Sequence, residues 1–484
     1  MAQTFVGSPQ QEAIWDSFAN EQSHIMIEAL AGTGKTTTIL EALKRLPVGQ
    51  SAAFVAFNKS IATELQNRVP KGVQAATLHS LGFAAVRQQL GRVQVDNDKT
   101  LKLLPQNLDF NTKLKVAKLV SLCKATLCDG RDYTELDELA AHYDVELNGE
   151  QEQVFGYIAD TLQQSKDKPH SIDFDDMIWL PVVWGLKLSR YDVLMVDEFQ
   201  DTNRSQQELV LAAGRRIVVV GDKQQAIYGF RGADVEAMER FKEVLSNTSR
   251  GLRVFPLTIT RRCPQEVTQL AATIVPEFEC APEVKTGSVV LDSMAPFEKG
   301  HMVLSRTNAP LIQSAYALIQ QNVPVKIQGR DIGKNLAALI KKLVGNDASC
   351  TRLLEKLSLY HQNETDHIMA AANGRNVDAK LQALDDKVQC IEFLCEGMDL
   401  VSEVLGRIEV LFSDIENGDN SRFVLLSSVH RAKGLESDTV HIICPDLLPH
   451  PMAKLPWQVK QEFNLKYVAI TRAKDTLHVH GVFK

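Results

Sequence analysis

The sequence predicts an α/β fold of two parallel-sheet domains, each interrupted by a mainly helical insertion. Two observations carry this expectation. Short apolar runs alternate with helical patterns in two separate blocks, as strands buried on both faces of a parallel sheet require. Stretches near 91–165 and 336–420 carry helical patterning without any such run. At 484 residues the chain is also too long for a single core. The expected division is 1–90 with 166–250 as the first sheet domain and 91–165 as its insertion. Residues 251–335 with 421–484 form the second sheet domain, and 336–420 its insertion.

In chain order, Ser8 and Pro9 open the first helix, a capping residue followed by proline at the first helical position. The apolar run His24–Ile27 leads into residues 28–38, EALAGTGKTTT, and then a helical pattern through Leu46. Strand, glycine-rich turn and helix form the context of a phosphate-binding loop. Gly32 and Gly34 permit the tight backbone path, so the N–H groups of Ala31, Gly32, Thr33 and Gly34 can face phosphate oxygens. Lys35 would reach the terminal phosphates, Thr36 would ligate Mg²⁺, and the helix presents its positive end to the anion. The usual pattern starts with glycine; here that position is Ala29.

A strand at 52–57 ends at Asn58 and Lys59, and a strand from Val73 ends at Leu78, His79 and Ser80. Ligands of open α/β sheets sit at carboxyl ends of strands, so both ends are candidate contact points. The run at 191–196 leads directly into Asp197 and Glu198, as metal binding and activation of an attacking water require. A second buried run, 216–220, ends in Gly221 and Asp222. A new α/β segment begins near Leu252, with later strands at 301–306, 423–427, 439–443 and 476–480.

Composition bounds the function more weakly. No apolar run approaches bilayer length, and the N-terminus lacks the pattern of a signal peptide, so a cytoplasmic protein is expected. The eight cysteines are scattered without a CxxC, and reduced thiols are the expected state. A net charge of −7 argues against a protein coated in positive charge but leaves room for a local nucleic-acid groove.

Eight stretches occur in one order: Gln10, AGTGKT (31–36), AFNK (56–59), TLHS (77–80), VDEFQDTN (196–203), VGDKQQAIYGFRGA (220–233), SSVHRAKGLE (427–436) and LKYVAITRAK (465–474). In these, the chain resembles the UvrD/Rep group of superfamily-one DNA helicases from Gln10 to Lys474. The resemblance implies two RecA-like motor domains, an ATP substrate and Mg²⁺. It makes Gln10 the reader of the adenine edge, Lys35 and Thr36 the phosphate and Mg²⁺ ligands, Asp197 the metal carboxylate and Glu198 the catalytic base. Gln225 would link the γ-phosphate to the DNA site, Arg262 and Arg472 would be arginines supplied by the second domain, and Glu436 would contact the ribose. For single-stranded DNA, and junctions of single and double strand, the candidates are Asn58, Lys59, His79, Tyr228, Phe230, Arg231, Ser428 and His430. Polar groups at strand ends would hold phosphates, and aromatic faces would stack on bases without reading sequence. Arg306 and Asn308 are weaker candidates; 173–176, DFDD, is read as a helix N-terminal acidic cluster without chemistry.

Two nucleotide contacts depart from the family. Arg261 stands where a base-stacking tyrosine is usual, and Thr37 where arginine is common, so weak discrimination among purine nucleotides is expected. The second insertion is short and the chain ends soon after Lys474, suggesting a compact, monomer-capable motor. The expected activity is a DNA-stimulated ATPase that moves along single-stranded DNA and unwinds duplexes; the resemblance implies 3′→5′ travel. The rivals are a translocase that strips proteins from DNA and a nucleotide-dependent scaffold or switch.

Overall fold

The computed structural model describes residues 7–56, 58–143, 145, 147, 150–229, 236–370, 377–412 and 421–483. The chain forms two compact units that divide between Thr258 and Ile259.

The first unit is built on a six-stranded sheet. Its strands are β1 (His24–Ala29), β2 (Ala52–Ala56), β3 (Val73–Thr77), β4 (Tyr191–Val196), β5 (Gly214–Gly221) and β6 (Leu252–Leu257). They lie in the order β3-β2-β4-β5-β1-β6, all parallel. Alternate side chains feed two cores. Ile25, Ile27, Phe54 and Val218 pack under Trp15 and Phe18 of α1 (Pro9–Asn20) and Ile39 and Leu43 of α2 (Lys35–Leu43). Met26, Val55, Leu194 and Val219 pack under Leu209 and Phe241, from helices Arg204–Ala213 and Ala237–Ser246. Burial on both faces is why these strands read as continuous apolar runs. Each such side chain contributes roughly 1.5–3 kcal/mol. Ser8 caps α1 in a capping box with Gln11, with Pro9 in its first turn.

β6 carries a correction. The sequence reading places Leu252 onward in the second half, yet β6 pairs with β1 from His24↔Leu252 to Ala29↔Leu257. An edge strand's own residues do not say which partner lies beside it; here that partner is near the start of the chain.

The helices of the first insertion, Lys99–Leu103, Phe110–Thr126, Tyr133–His142 and Gln151–Asp167, follow α4 (Leu78–Leu90), after α3 (Lys59–Gln66). Val116, Leu119, Ile158 and Leu162 share a core with Trp179 and Leu180 of helix Phe174–Val183. A buried ionic cluster sits in this region. Asp173 and Asp176 form the capping box of that helix. Lys124 Nζ lies 2.8 Å from both carboxylates, and Lys99 Nζ lies 2.6 Å from Asp176. The DFDD stretch thus acts as a helix N-terminus, and its lysine partners come from the insertion.

The second unit holds a parallel sheet of β7 (Ser288–Val290), β8 (Met302–Ser305), β9 (Val325–Ile327), β10 (Val424–Ser428), β11 (Ser437–Ile443) and β12 (Ala473–His480). Their order is β7-β12-β11-β8-β10-β9. Four helices, Arg330–Leu343, Cys350–Ala370, Asp378–Cys395 and Val401–Leu411, form the second insertion. Leu336, Leu353, Ile391 and Val404 share one core with Val303, Ile327 and Leu426 of the sheet. The first of these helices starts at Arg330 and runs through the expected boundary at 336.

Candidate nucleotide site

The order β4-β5-β1 sets three carboxyl ends side by side, and each ends in a polar loop. From β1, Gly32 and Gly34 turn at φ of 68° and 84°, in the left-handed region that favours glycine. Gly34 is the cap of α2, so Lys35 and Thr36 open that helix. From β4, Asp197 and Glu198 follow Val196 directly, Glu198 itself in the left-handed region at φ 51°. From β5, Gly221 leads to the fully buried Asp222.

Lys35 Nζ lies 3.1 Å from Glu198 Oε1. Burial works against its charge, but the carboxylates of Glu198, Asp222 and Asp197 outweigh it and raise its pKa above the ordinary lysine value. Asp197 is pushed up to about 6 by burial and then by Glu198, and burial pushes Asp222 up to about 6 as well. Three carboxylates thus surround one ammonium. Thr36 Oγ1 donates to Asp197 Oδ2 at 3.3 Å. A hydroxyl beside a buried carboxylate short of positive charge is the oxygen donor set that suits Mg²⁺.

Two residues absent from the sequence-derived site tie these groups together. Gln200, 2% exposed, donates from Nε2 to Glu198 Oε2 at 2.6 Å, and its Oε1 accepts the backbone N–H of Asp222 at 2.9 Å. Asp222 accepts the Gln225 amide, Nε2 to Oδ2, at 2.7 Å. Both lie within the quoted stretches; their polarity just after apolar strands is the signal that could have found them.

At the edge of the sheet, Gln10 is oriented by Thr258. The Thr258 N–H donates to Gln10 Oε1 at 3.0 Å, and Gln10 Nε2 donates to Thr258 Oγ1 at 2.9 Å. A primary amide has two N–H groups and two lone pairs, so one of each stays outside this pairing. That is the complement of an adenine edge. Thr258 follows β6 and has no sequence signal, because its role depends on β6 pairing with β1. Thr37 is the third residue of α2 and makes no hydrogen bond with Gln10.

Within the second unit, Arg262 Nε lies 2.6 Å from Glu436 Oε2. Arg472 is 1% exposed and donates to the carbonyls of Val468 and Leu435 and to Thr471 Oγ1. Arg472 and Glu436 directly precede β12 and β11, whose first residues pair as Ser437↔Ala473. Arg261 pairs with Glu283 at 3.4 Å.

Two family models match this sequence: the UvrD/REP helicase N-terminal domain over residues 9–246 and the UvrD-like helicase C-terminal domain over residues 380–481. The chain belongs to the UvrD/Rep helicase family. It is 24% identical to F-box DNA helicase 1 of Gallus gallus, over 97% of this chain and 48% of that protein. It is 26% identical to F-box DNA helicase protein 1 of Schizosaccharomyces pombe, over 97% of this chain and 56% of that protein. The ATP-dependent DNA helicase Rep of Salmonella typhimurium is 30% identical over 43% of this chain and 35% of its own length. The chain spans about half the length of the first two relatives.

In this UvrD/Rep-family chain, the other candidates follow the sheet edges. Asn58 and Lys59 are exposed beyond β2, with Asn58 Oδ1 capping α3 through the Ile61 N–H at 2.9 Å. His79, in the first turn of α4 beyond β3, meets the ring of Phe174 edge-on at 6.1 Å, and burial lowers its pKa. Phe174 is 53% exposed, a ring the sequence reading did not single out. Tyr228 follows β5 and is half-buried; Phe230 and Arg231 lie outside the described residues. Ser428 ends β10 and His430 follows it, both half-buried at the carboxyl edge of the second sheet. Segment 429–436 then returns along the sheet to Glu436 at the amino edge. Arg306 and Asn308 have structural partners. Arg306 grips the buried Glu462 carboxylate through Nε and Nη2, and Asn308 and the Ala309 N–H bind Asp386.

Proposed function

We propose that this chain is an ATP-driven motor that moves along single-stranded DNA and separates duplexes at single/double-strand junctions, travelling 3′→5′. The observation that carries the reading is the convergence of Lys35, Thr36, Asp197, Glu198 and Gln225 on one hydrogen-bonded site at three adjacent strand ends. The names of the relatives support the same reading: they are DNA helicases, and Rep is ATP-dependent.

In this proposal the γ-phosphate takes Lys35 away from Glu198, and the freed carboxylate accepts a proton from the attacking water. The Thr36 hydroxyl and Asp197 carboxylate would hold Mg²⁺, which supplies charge neutralisation on phosphate oxygens. Gln10 reads the adenine edge, Glu436 contacts the ribose, and Gln225 reports the γ-phosphate toward Tyr228. Arg262 and Arg472 exchange their present partners for phosphoryl oxygens when the two motor domains close, which ties hydrolysis to movement. Arg261 and Thr37 supply little base selectivity, so GTP turnover approaches ATP turnover. Work as a monomer and a cytoplasmic location belong to the same proposal. Among the described residues no helix is long and apolar enough to cross a membrane.

ATPase rates with and without single-stranded DNA, for wild type and Lys35→Ala, test the reading. DNA stimulation that vanishes in the variant supports it; a wild-type rate indifferent to DNA points to a nucleotide-dependent switch. Strand-displacement and protein-removal assays run in parallel separate a helicase from a translocase that only clears DNA.

A further inference from the structure

We propose that Gln200 is a positioning residue that holds the catalytic carboxylate Glu198 and couples it to the Gln225 arm. Its side chain is buried between the ends of β4 and β5. The Asp222 N–H can only donate, so it fixes Gln200 Oε1 as the acceptor at 2.9 Å and turns Nε2 toward the carboxylates. Nε2 then donates to Glu198 Oε2 at 2.6 Å and reaches Asp201 Oδ2 at 3.3 Å. Asp222 in turn accepts Gln225 Nε2 at 2.7 Å. The result is an unbroken path from the Glu198 carboxylate, through Gln200 and Asp222, to Gln225, which the proposed function links to the DNA site.

The surrounding backbone is shaped around this amide. A Cβ on Gly221 would lie 2.6 Å from Gln200 Oε1 and 3.1 Å from its backbone nitrogen. A side chain at position 221 would force the Gln200 amide to shift. Lys35 meets the Glu198 carboxylate at Oε1, and Gln200 Nε2 donates to its Oε2. When phosphate takes Lys35, the Gln200 bond to Oε2 still holds the carboxylate.

The inference rests on Glu198 being the base of a DNA-stimulated ATPase, and the experiment keeps the two apart. Wild type without DNA stimulation overturns that functional reading before any variant is made. Given stimulation, Gln200→Met, which keeps the volume and removes the side chain's hydrogen bonds to Glu198, Asp201 and Asp222, is expected to lower DNA-stimulated kcat about 10²-fold with KM for ATP little changed. In a Glu198→Gln background the same change is expected to lower the residual rate less than about twofold, because Gln200 acts through Glu198. Gln200→Glu adds a pH readout. Its carboxyl can donate to Glu198 only when protonated, so its kcat relative to wild type should be higher at pH 6 than at pH 8. Wild-type kcat in Gln200→Met, equal losses in both backgrounds, or a pH-independent ratio for Gln200→Glu each overturn the proposal.

Discussion

The Lys35 ammonium is neutralised by Glu198, 3.1 Å away, so the group that should hold phosphate and the group that should activate water occupy each other. On the proposed mechanism, nucleotide binding breaks this pair. Glu198→Gln is therefore expected to bind a non-hydrolysed ATP analogue several-fold more tightly while lowering kcat by about 10²–10⁴-fold. Equilibrium titration with a fluorescent analogue and single-turnover hydrolysis measure the two effects. Weaker binding in the variant would contradict the competition.

Asp197 gives a pH dependence with a definite sign. Its folded pKa of about 6 is above the usual aspartate value of 3.8. The fold is therefore favoured by its proton below pH 4 and loses that contribution as pH rises through about 6. Without Mg²⁺, Asp197→Asn should be more stable relative to wild type at pH 7.5 than at pH 4.5, by on the order of 1–3 kcal/mol. The half-saturating Mg²⁺ concentration for ATPase should rise as pH falls below about 6, because protons compete for that carboxylate. Denaturant melts and Mg²⁺ titrations across pH 5–8 would reveal either trend.

Phe174 offers a ring 53% exposed beside His79. Phe174→Ala is expected to weaken single-stranded DNA binding about 5–150-fold, the loss of one stacking contact, with little change in melting temperature. Fluorescence anisotropy with a labelled oligonucleotide measures it, and unchanged affinity would remove Phe174 from the DNA face.

Lys124 is 1% exposed and bridges Asp173 and Asp176. Lys124→Met leaves buried carboxylates with Lys99 as the remaining lysine within ion-pair distance, and should cost about 3–5 kcal/mol of stability. Replacing the whole cluster by apolar residues of similar volume should cost much less. Chemical denaturation of the single and combined variants makes the comparison.

His441 is fully buried against His301, His478 and His480, and burial together with these neighbours lowers its pKa to about 3. A histidine kept neutral in the fold but protonated when unfolded costs stability as pH falls below 6.5. At pH 5 the loss is about 2 kcal/mol. His441→Phe should flatten the pH 5–7 dependence of the unfolding midpoint.

Local chemistry is what the chain order alone made legible. Continuous apolar runs announced parallel strands because such strands are buried on both faces, and Gly32 and Gly34 announced a tight turn between strand and helix, where both take left-handed backbone angles that disfavour most other residues. Asp197 and Glu198 stood out because carboxylates directly after a buried strand need a reason to be there. Contacts between distant segments were decided only when the chain folded. β6 joined the first sheet through β1, Thr258 came to orient Gln10, and Lys99 and Lys124 entered the acidic end of a helix from the insertion. Gln200 became a link between two strand ends because β4 and β5 are neighbours. Pairing partners and buried charge partners depend on which surfaces meet in space, and adjacency along the chain carries no record of that.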